Sequence, residues 1–108
     1  MIGRCVRSDD AEARLGQALA RNAAAAGVTA LIEQCRARPW SSATFEGVQL
    51  CLAVSATPVE AARAWLEGLA DADLPMLGHV AMPPAVDAVA AHDDRLVAQL
   101  TVLVLLDS

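Results

Sequence analysis

Gly47-Val48-Gln49-Leu50-Cys51-Leu52-Ala53-Val54 alternates, residue by residue, between a strongly apolar set and a mixed one. After Ser55-Ala56 the chain runs straight into Thr57-Pro58-Val59-Glu60. Successive side chains of a strand point to opposite faces. Val48, Leu50, Leu52 and Val54 therefore make one core-facing row, while Gly47, Gln49, Cys51 and Ala53 face the other way. Thr57-Pro58-Val59-Glu60 reads as a helix start: a capping hydroxyl, a proline at the first helical position, and a glutamate placed to reach back to the Thr57 amide. Beyond it, Val59, Ala62, Trp65, Leu66 and Leu69 share one face of a helix ending near Ala72. A half-buried strand followed by an amphipathic helix is one part of a two-layer α+β domain.

The same reasoning extends outward in both directions. Upstream, Ser8 followed by Asp9, Asp10 and Glu12 predicts a helix start, with acids at the positive end of the macrodipole. That helix runs to about Ala26, carries Leu15, Ala18, Leu19, Ala23 and Ala26 on one face, and stops at Gly27. Residues 28–38 read as a strand ended by Pro39, with Ser41 and Ser42 in a connection. Downstream, residues 77–82 read as a short strand before Pro83-Pro84. Residues 85–94 read as a turn with Asp93-Asp94 at its solvated tip. Residues 95–106 form a last strand with Leu96, Ala98, Leu100, Val102, Val104 and Leu106 inward.

Helix, strand, strand therefore occurs twice. An offset of 50 residues lays Leu15 on Trp65, Leu19 on Leu69, Leu50 on Leu100 and Leu52 on Val102, so core positions match. The chain divides into repeats at 8–56 and 57–108, with residues 1–7 as a remnant or linker. Neither repeat can bury both its helix stripe and its sheet face alone. Paired, they predict a four-stranded antiparallel sheet with two helices on one face. The second and fourth strands would be central, and the proline-bearing first and third would lie at the edges. That arrangement is a circularly permuted ferredoxin-like plait.

Composition bounds the function. The 108 residues make one domain, and 56% hydrophobic content excludes a disordered chain. Aromatics are limited to Trp40, Trp65 and Phe45, so the core is aliphatic. A formal charge of −5 without a basic stripe argues against nucleic acid or an anionic lipid surface as partner. The most apolar run, residues 96–106, falls short of the roughly 20 residues of a membrane span. The N-terminus lacks the apolar segment of a signal peptide. Cys5, Cys35 and Cys51 have no metal-ligand spacing and read as isolated small hydrophobes, with a Cys35–Cys51 cross-strand bridge left open.

The search for chemistry assigns no catalytic, cofactor or metal residue. His79 and His92 have no ligand-spaced neighbours, and His92-Asp93-Asp94 reads as a solvated turn. Cys51 and His79 fall on non-adjacent strands, too far apart for a nucleophile and its base. Asp71 and Asp73 flank the helix end in an exposed connection. One feature does ask for a partner. Val97, Leu103 and Leu105 lie on the outer face of the last strand, which a sheet with helices on one side leaves wet. Trp40, beside Pro39 in the first hairpin connection, joins them as an interface candidate.

Gly47-Val48-Gln49-Leu50-Cys51-Leu52, Ala64-Trp65-Leu66-Glu67-Gly68-Leu69, Leu77-Gly78-His79-Val80 and Arg95-Leu96-Val97-Ala98-Gln99-Leu100, in this order, resemble the soluble domain of the GspM/PilO family. Its members are inner-membrane assembly-platform proteins of type II secretion systems and type IV pili. The first half resembles it more loosely, through its helix and Ala26-Gly27-Val28. The resemblance rests on hydrophobic pattern over nearly the whole chain, and favours the GspM branch over the PilO one. It implies a non-enzymatic, cofactor-free periplasmic domain of an inner-membrane protein. It also implies pairing with itself and with a GspL- or PilN-type protein, and a membrane anchor ahead of the domain. Three cysteines depart from what an oxidising periplasm favours, and would suit the cytoplasm better. The alternative is a small-molecule-sensing regulatory domain of the same ferredoxin-like class.

Overall fold

The computed structural model describes residues 2–72, 74–76 and 79–106, with side chains for residues 11–105 within these ranges. The elements are α1 (Ile2–Ala25), β1 (Thr29–Ser41), β2 (Glu46–Thr57), α2 (Val59–Gly68) with a 3-10 turn at Leu69–Asp71, β3 (Pro75–Met76), β4 (His79–Ala81), β5 (Ala85–His92) and β6 (Arg95–Leu106). All strand pairings are antiparallel, in the order β1-β2-β6-β4-β3, and β5 pairs with β6 as well. The fold is α+β, with six strands rather than the expected four.

The two strongest alternations are the two central strands. In β2, Val48, Leu50, Leu52 and Val54 are all buried, and so are Leu96, Ala98, Leu100, Val102 and Val104 of β6. Leu50 lies opposite Val102 and Leu52 opposite Leu100. Onto this face α1 brings Ala11, Leu15, Ala18, Leu19 and Ala23, and α2 brings Ala62, Trp65 and Leu66, so both helices share one core with one side of the sheet. The Trp65 indole N–H enters that core and donates to Asn22 Oδ1 of α1 at 2.8 Å, which keeps a buried donor satisfied. Helix α1 ends as expected at Gly27, with φ 77°. The Val28 amide bonds to the Ala23 carbonyl and the Gly27 amide to the Ala24 carbonyl, the paired bonds of a Schellman cap.

Local structure differs from the sequence reading at several points. Helix α1 begins at Ile2, so Ser8 lies inside it, and residues 2–7 are helix rather than a linker. A single glycine there, Gly3, costs only about 1 kcal/mol and does not stop a helix. Ala26 is exposed, because the helix has already ended. The capping box does not form. Pro58 is itself the N-cap, with ψ 160° and no side-chain cap bond, so Glu60 falls one position too early to reach back. The first helical bond instead runs from the Ala62 amide to the Pro58 carbonyl at 2.8 Å.

The strands also differ. β1 continues through Pro39 and Trp40 to Ser41, because an edge strand tolerates a residue without an amide donor. The connection is residues 42–45, where the Ser42 hydroxyl accepts the Phe45 amide at 3.1 Å. The short third strand is β4, at His79–Ala81; Leu77 and Gly78 lie outside the described residues. It is not the outermost strand, since β3 pairs on its far side. Residues 85–92 are strand β5 instead of a turn, leaving only Asp93 and Asp94 between β5 and β6. The Ala-rich run has weak strand propensity, and its pairing with β6 decides its conformation. β4 and β5 follow one another along the same edge of β6, broken at residues 82–84 by Met82-Pro83-Pro84.

Candidate functional site

The helices cover one face of the sheet and leave the other open. Which side chains stand on the open face follows from register. Gly47 pairs with Leu105, Gln49 with Leu103, Cys51 with Thr101, Ala53 with Gln99 and Ser55 with Val97. All ten have the parity opposite to the buried row.

Strand β1 reaches the same face by a bulge. Its core-compatible residues are Ala30 and Ile32, then Cys35, Ala37 and Pro39, a change of parity that a regular strand cannot follow. The register shifts between Ile32 and Gln34, leaving Glu33 as the extra residue. Cys35 is thereby turned toward α1, while Gln34, Arg36 and Arg38 stand on the open face. Without the bulge, continuation of the Thr29–Ile32 register would place Cys35 directly opposite Cys51. With it, Cys35 pairs with Leu52, and Arg36 pairs with Cys51. Both cysteines are free and lie on opposite faces, so the cross-strand bridge is ruled out by geometry. Burial pushes the Cys35 thiol up from 9.0 to about 12, and the charge and hydrogen bond of Glu12 on α1 push in the same direction. Cys51 is exposed on the open face.

At one end of that face, Trp40 on β1, Gly47 on β2, Leu105 on β6 and Val80 on β4 form one row across four strands. Val80 is 54% exposed, and neighbouring Met82, whose amide bonds to the Leu103 carbonyl, is 41% exposed. Gly47 is required there. A Cβ at this position would lie 2.5 Å from the Val104 carbonyl oxygen and 3.3 Å from Leu105 Cα. In the middle of the face a polar ladder crosses three strands. Thr101 Oγ1 donates to Asp87 Oδ2 of β5 at 2.6 Å and lies 4.0 Å from Cys51 Sγ. At the far end, Arg95 of β6 and Glu33 of β1 approach to 3.8 Å across β2. Ser55, between them, is buried although no helix covers it.

The four interface candidates are all half-buried and all on this face. Trp40 and Leu105 come together in one row and Leu103 lies in the next, whereas Val97 sits apart, beside Ser55. Trp40 belongs to strand β1 and not to a connection. Sequence reasoning missed Val80 and Met82, which join the patch only through the pairing of β4 with β6. It also missed the charged flanks, Arg36 and Arg38 on one side and Asp87 on the other. The parity break between Ile32 and Cys35 was the available signal for the arginines.

A groove of about 450 Å³ lies on the opposite side, between α2 and β5, lined by Arg63, Leu66, Glu67, Pro84, Val86 and Val89. His79 is separated from Cys51 by β6, and Asp71 is exposed at the end of the 3-10 turn; Asp73 lies outside the described residues. Among the described residues, no three His, Cys, Asp or Glu side chains come together as a metal site. No described helix is long and apolar enough to cross a membrane. Compared with family models, curated proteins and solved structures, the chain matches none of them.

Proposed function

We propose that the protein is a non-enzymatic association domain that works by homodimerisation, of the GspM-like platform type in type II secretion. The observation that carries this reading is the open sheet face with Trp40, Leu103, Leu105, Val80 and Met82 gathered at one end. Exposed aliphatics clustered on an otherwise uncovered face mark interaction surfaces. The strand order supports the architecture that the family resemblance implies. Counted as one interrupted strand, β4 and β5 follow β1, β2 and β6 in the order of a circularly permuted ferredoxin-like plait, with the two-residue β3 added beyond β4. On this reading the domain is periplasmic, held by a preceding membrane anchor, and pairs with a GspL-type protein; a PilO-like pilus platform with a PilN-type partner is the near variant.

Size-exclusion chromatography with light scattering is expected to give a dimer at micromolar concentration, and the immobilised protein is expected to retain a GspL- or PilN-type domain. A strict monomer that retains neither overturns the reading. The groove between α2 and β5 favours a second reading, a ligand-sensing domain, since its volume falls in the range of small-molecule sites. A thermal-shift screen separates the two, because a ligand that binds there raises the melting temperature.

A further inference from the structure

The open face carries a ridge beside a trough. On β2 its side chains are small at Cys51 and Ala53, with Gln49 the one longer chain and Gly47 already covered by Leu105 of the same chain; on β6 they are Leu105, Leu103, Thr101 and Gln99. We propose that this face seats a second copy of the chain about a two-fold axis parallel to β2 and β6 and midway between them, so that the β6 ridge of each copy enters the β2 trough of the other. The inference rests on the homodimer reading above and specifies its geometry.

Rotation about such an axis exchanges the two sides of the sheet while keeping every cross-strand row at its own height. Leu105 then lies over Gly47 of the second copy, and Trp40 meets Val80. One row on, Leu103 meets Gln49, and Met82 lies over the aliphatic stem of Arg38. In the middle row Cys51 meets Thr101, and Arg36 lies over Ala85, next to which the Asp87 carboxylate of the bulge reaches Thr101. Every contact occurs twice, as an isologous interface requires. An axis running across the strands does the reverse. It stacks β6 on β6 and β1 on β1, which brings Arg36 and Arg38 of one copy next to the arginines of the other.

Association through the edge of β1 is disfavoured by Pro39 and by the bulge at Glu33. The Glu33–Arg95 pair closes the trough at the Ser55 end and so limits the contact to the rows from Trp40 to Gln34. Four such rows across four strands cover about 500 Å² per copy, from the strand and residue spacings of a sheet. The total of about 1,000 Å² is the lower bound for a specific interface, in the class of weak or transient association.

The test uses the full chain with Cys5→Ser and Cys35→Ser, leaving Cys51 as the reactive thiol. Facing sheets pack about 10 Å apart, so the two Cys51 thiols come within reach of a short bis-maleimide. The expected result is a covalent dimer that disappears in Cys51→Ser. Charge reversal gives a second readout. Arg36→Asp or Asp87→Arg alone weakens dimerisation about tenfold, and the double variant restores it to within about threefold. Within one chain the two residues are separated by β2 and β6, so this rescue cannot arise inside a monomer. A dimer in light scattering that neither cross-links through Cys51 nor shows charge rescue overturns the geometry and leaves the association reading standing. A monomer at high micromolar concentration overturns both. If a charge variant lowers the melting temperature, the cross-link decides alone.

Discussion

Cys35 and Cys51 show how one residue's displacement changes its chemistry. Cys35 is turned toward α1, where burial and then the neighbouring Glu12 carboxylate disfavour the thiolate. A thiol whose folded pKa is raised binds its proton more tightly in the native state. The stability it contributes is complete below pH 9.0 and is lost as pH rises toward about 12. Urea midpoints taken at about pH 8 and about pH 11 are therefore expected to fall, and to fall less in Cys35→Ala than in the parent. An identical decline in both proteins would show that the thiol makes no contribution. Cys51, on the opposite face, is exposed and is the one of these two available to reagents and to a partner.

Among the elements, β2 and β6 carry most of the structure, because each buries one full alternating row and is paired on both sides. At Gly47 an added Cβ would strike the backbone of β6 rather than a flexible side chain. Gly47→Ala should therefore destabilise the fold by about 1–3 kcal/mol, measured by urea denaturation, although alanine is ordinarily the better strand and helix residue of the two. A neutral result would mean that the strand separation adjusts freely. These two strands were legible from alternation alone, as were the buried faces of α1 and α2 from helical spacing. β5 was not legible. Its side chains, Ala85 through Ala91, are mostly exposed and break parity at Asp87, so no period survives in the sequence. Its strand conformation comes from hydrogen bonds to β6 across the Asp93-Asp94 turn, between residues 3 to 16 positions apart, which its own spacing does not show. The bulge in β1 was legible in principle, from apolar positions that move from even to odd numbers between Ile32 and Cys35.

At the scale of the whole molecule, the layers are unequal: the two helices pack on one face of the sheet, and no described element covers the other. A second copy that binds only the folded chain raises its apparent stability with concentration. For a chain of this length a tenfold increase in protein concentration is expected to raise the melting temperature by about 3–5 °C. Scanning calorimetry at several concentrations checks this, and a constant melting temperature would count against the dimer. Of the surface itself, sequence reasoning found Trp40, Leu103, Leu105 and Val97, because alternation tells which residues of a strand are not in the core. It did not find that Trp40, Leu105 and Val80 share a row, or that Arg36 and Asp87 flank the same face, since rows across strands exist only once register is set.

The amino-acid sequence by itself determined the class of the fold, its two central strands, its buried helix faces and the stop at Gly27. All of these follow from period-2 and period-3.6 spacing or from one residue's backbone freedom. The tertiary structure alone decided the number of strands, the side of the sheet on which each cysteine stands, and the ridge and trough of the open face. These depend on pairing between segments far apart in the chain, where a shift of one residue exchanges one face for the other.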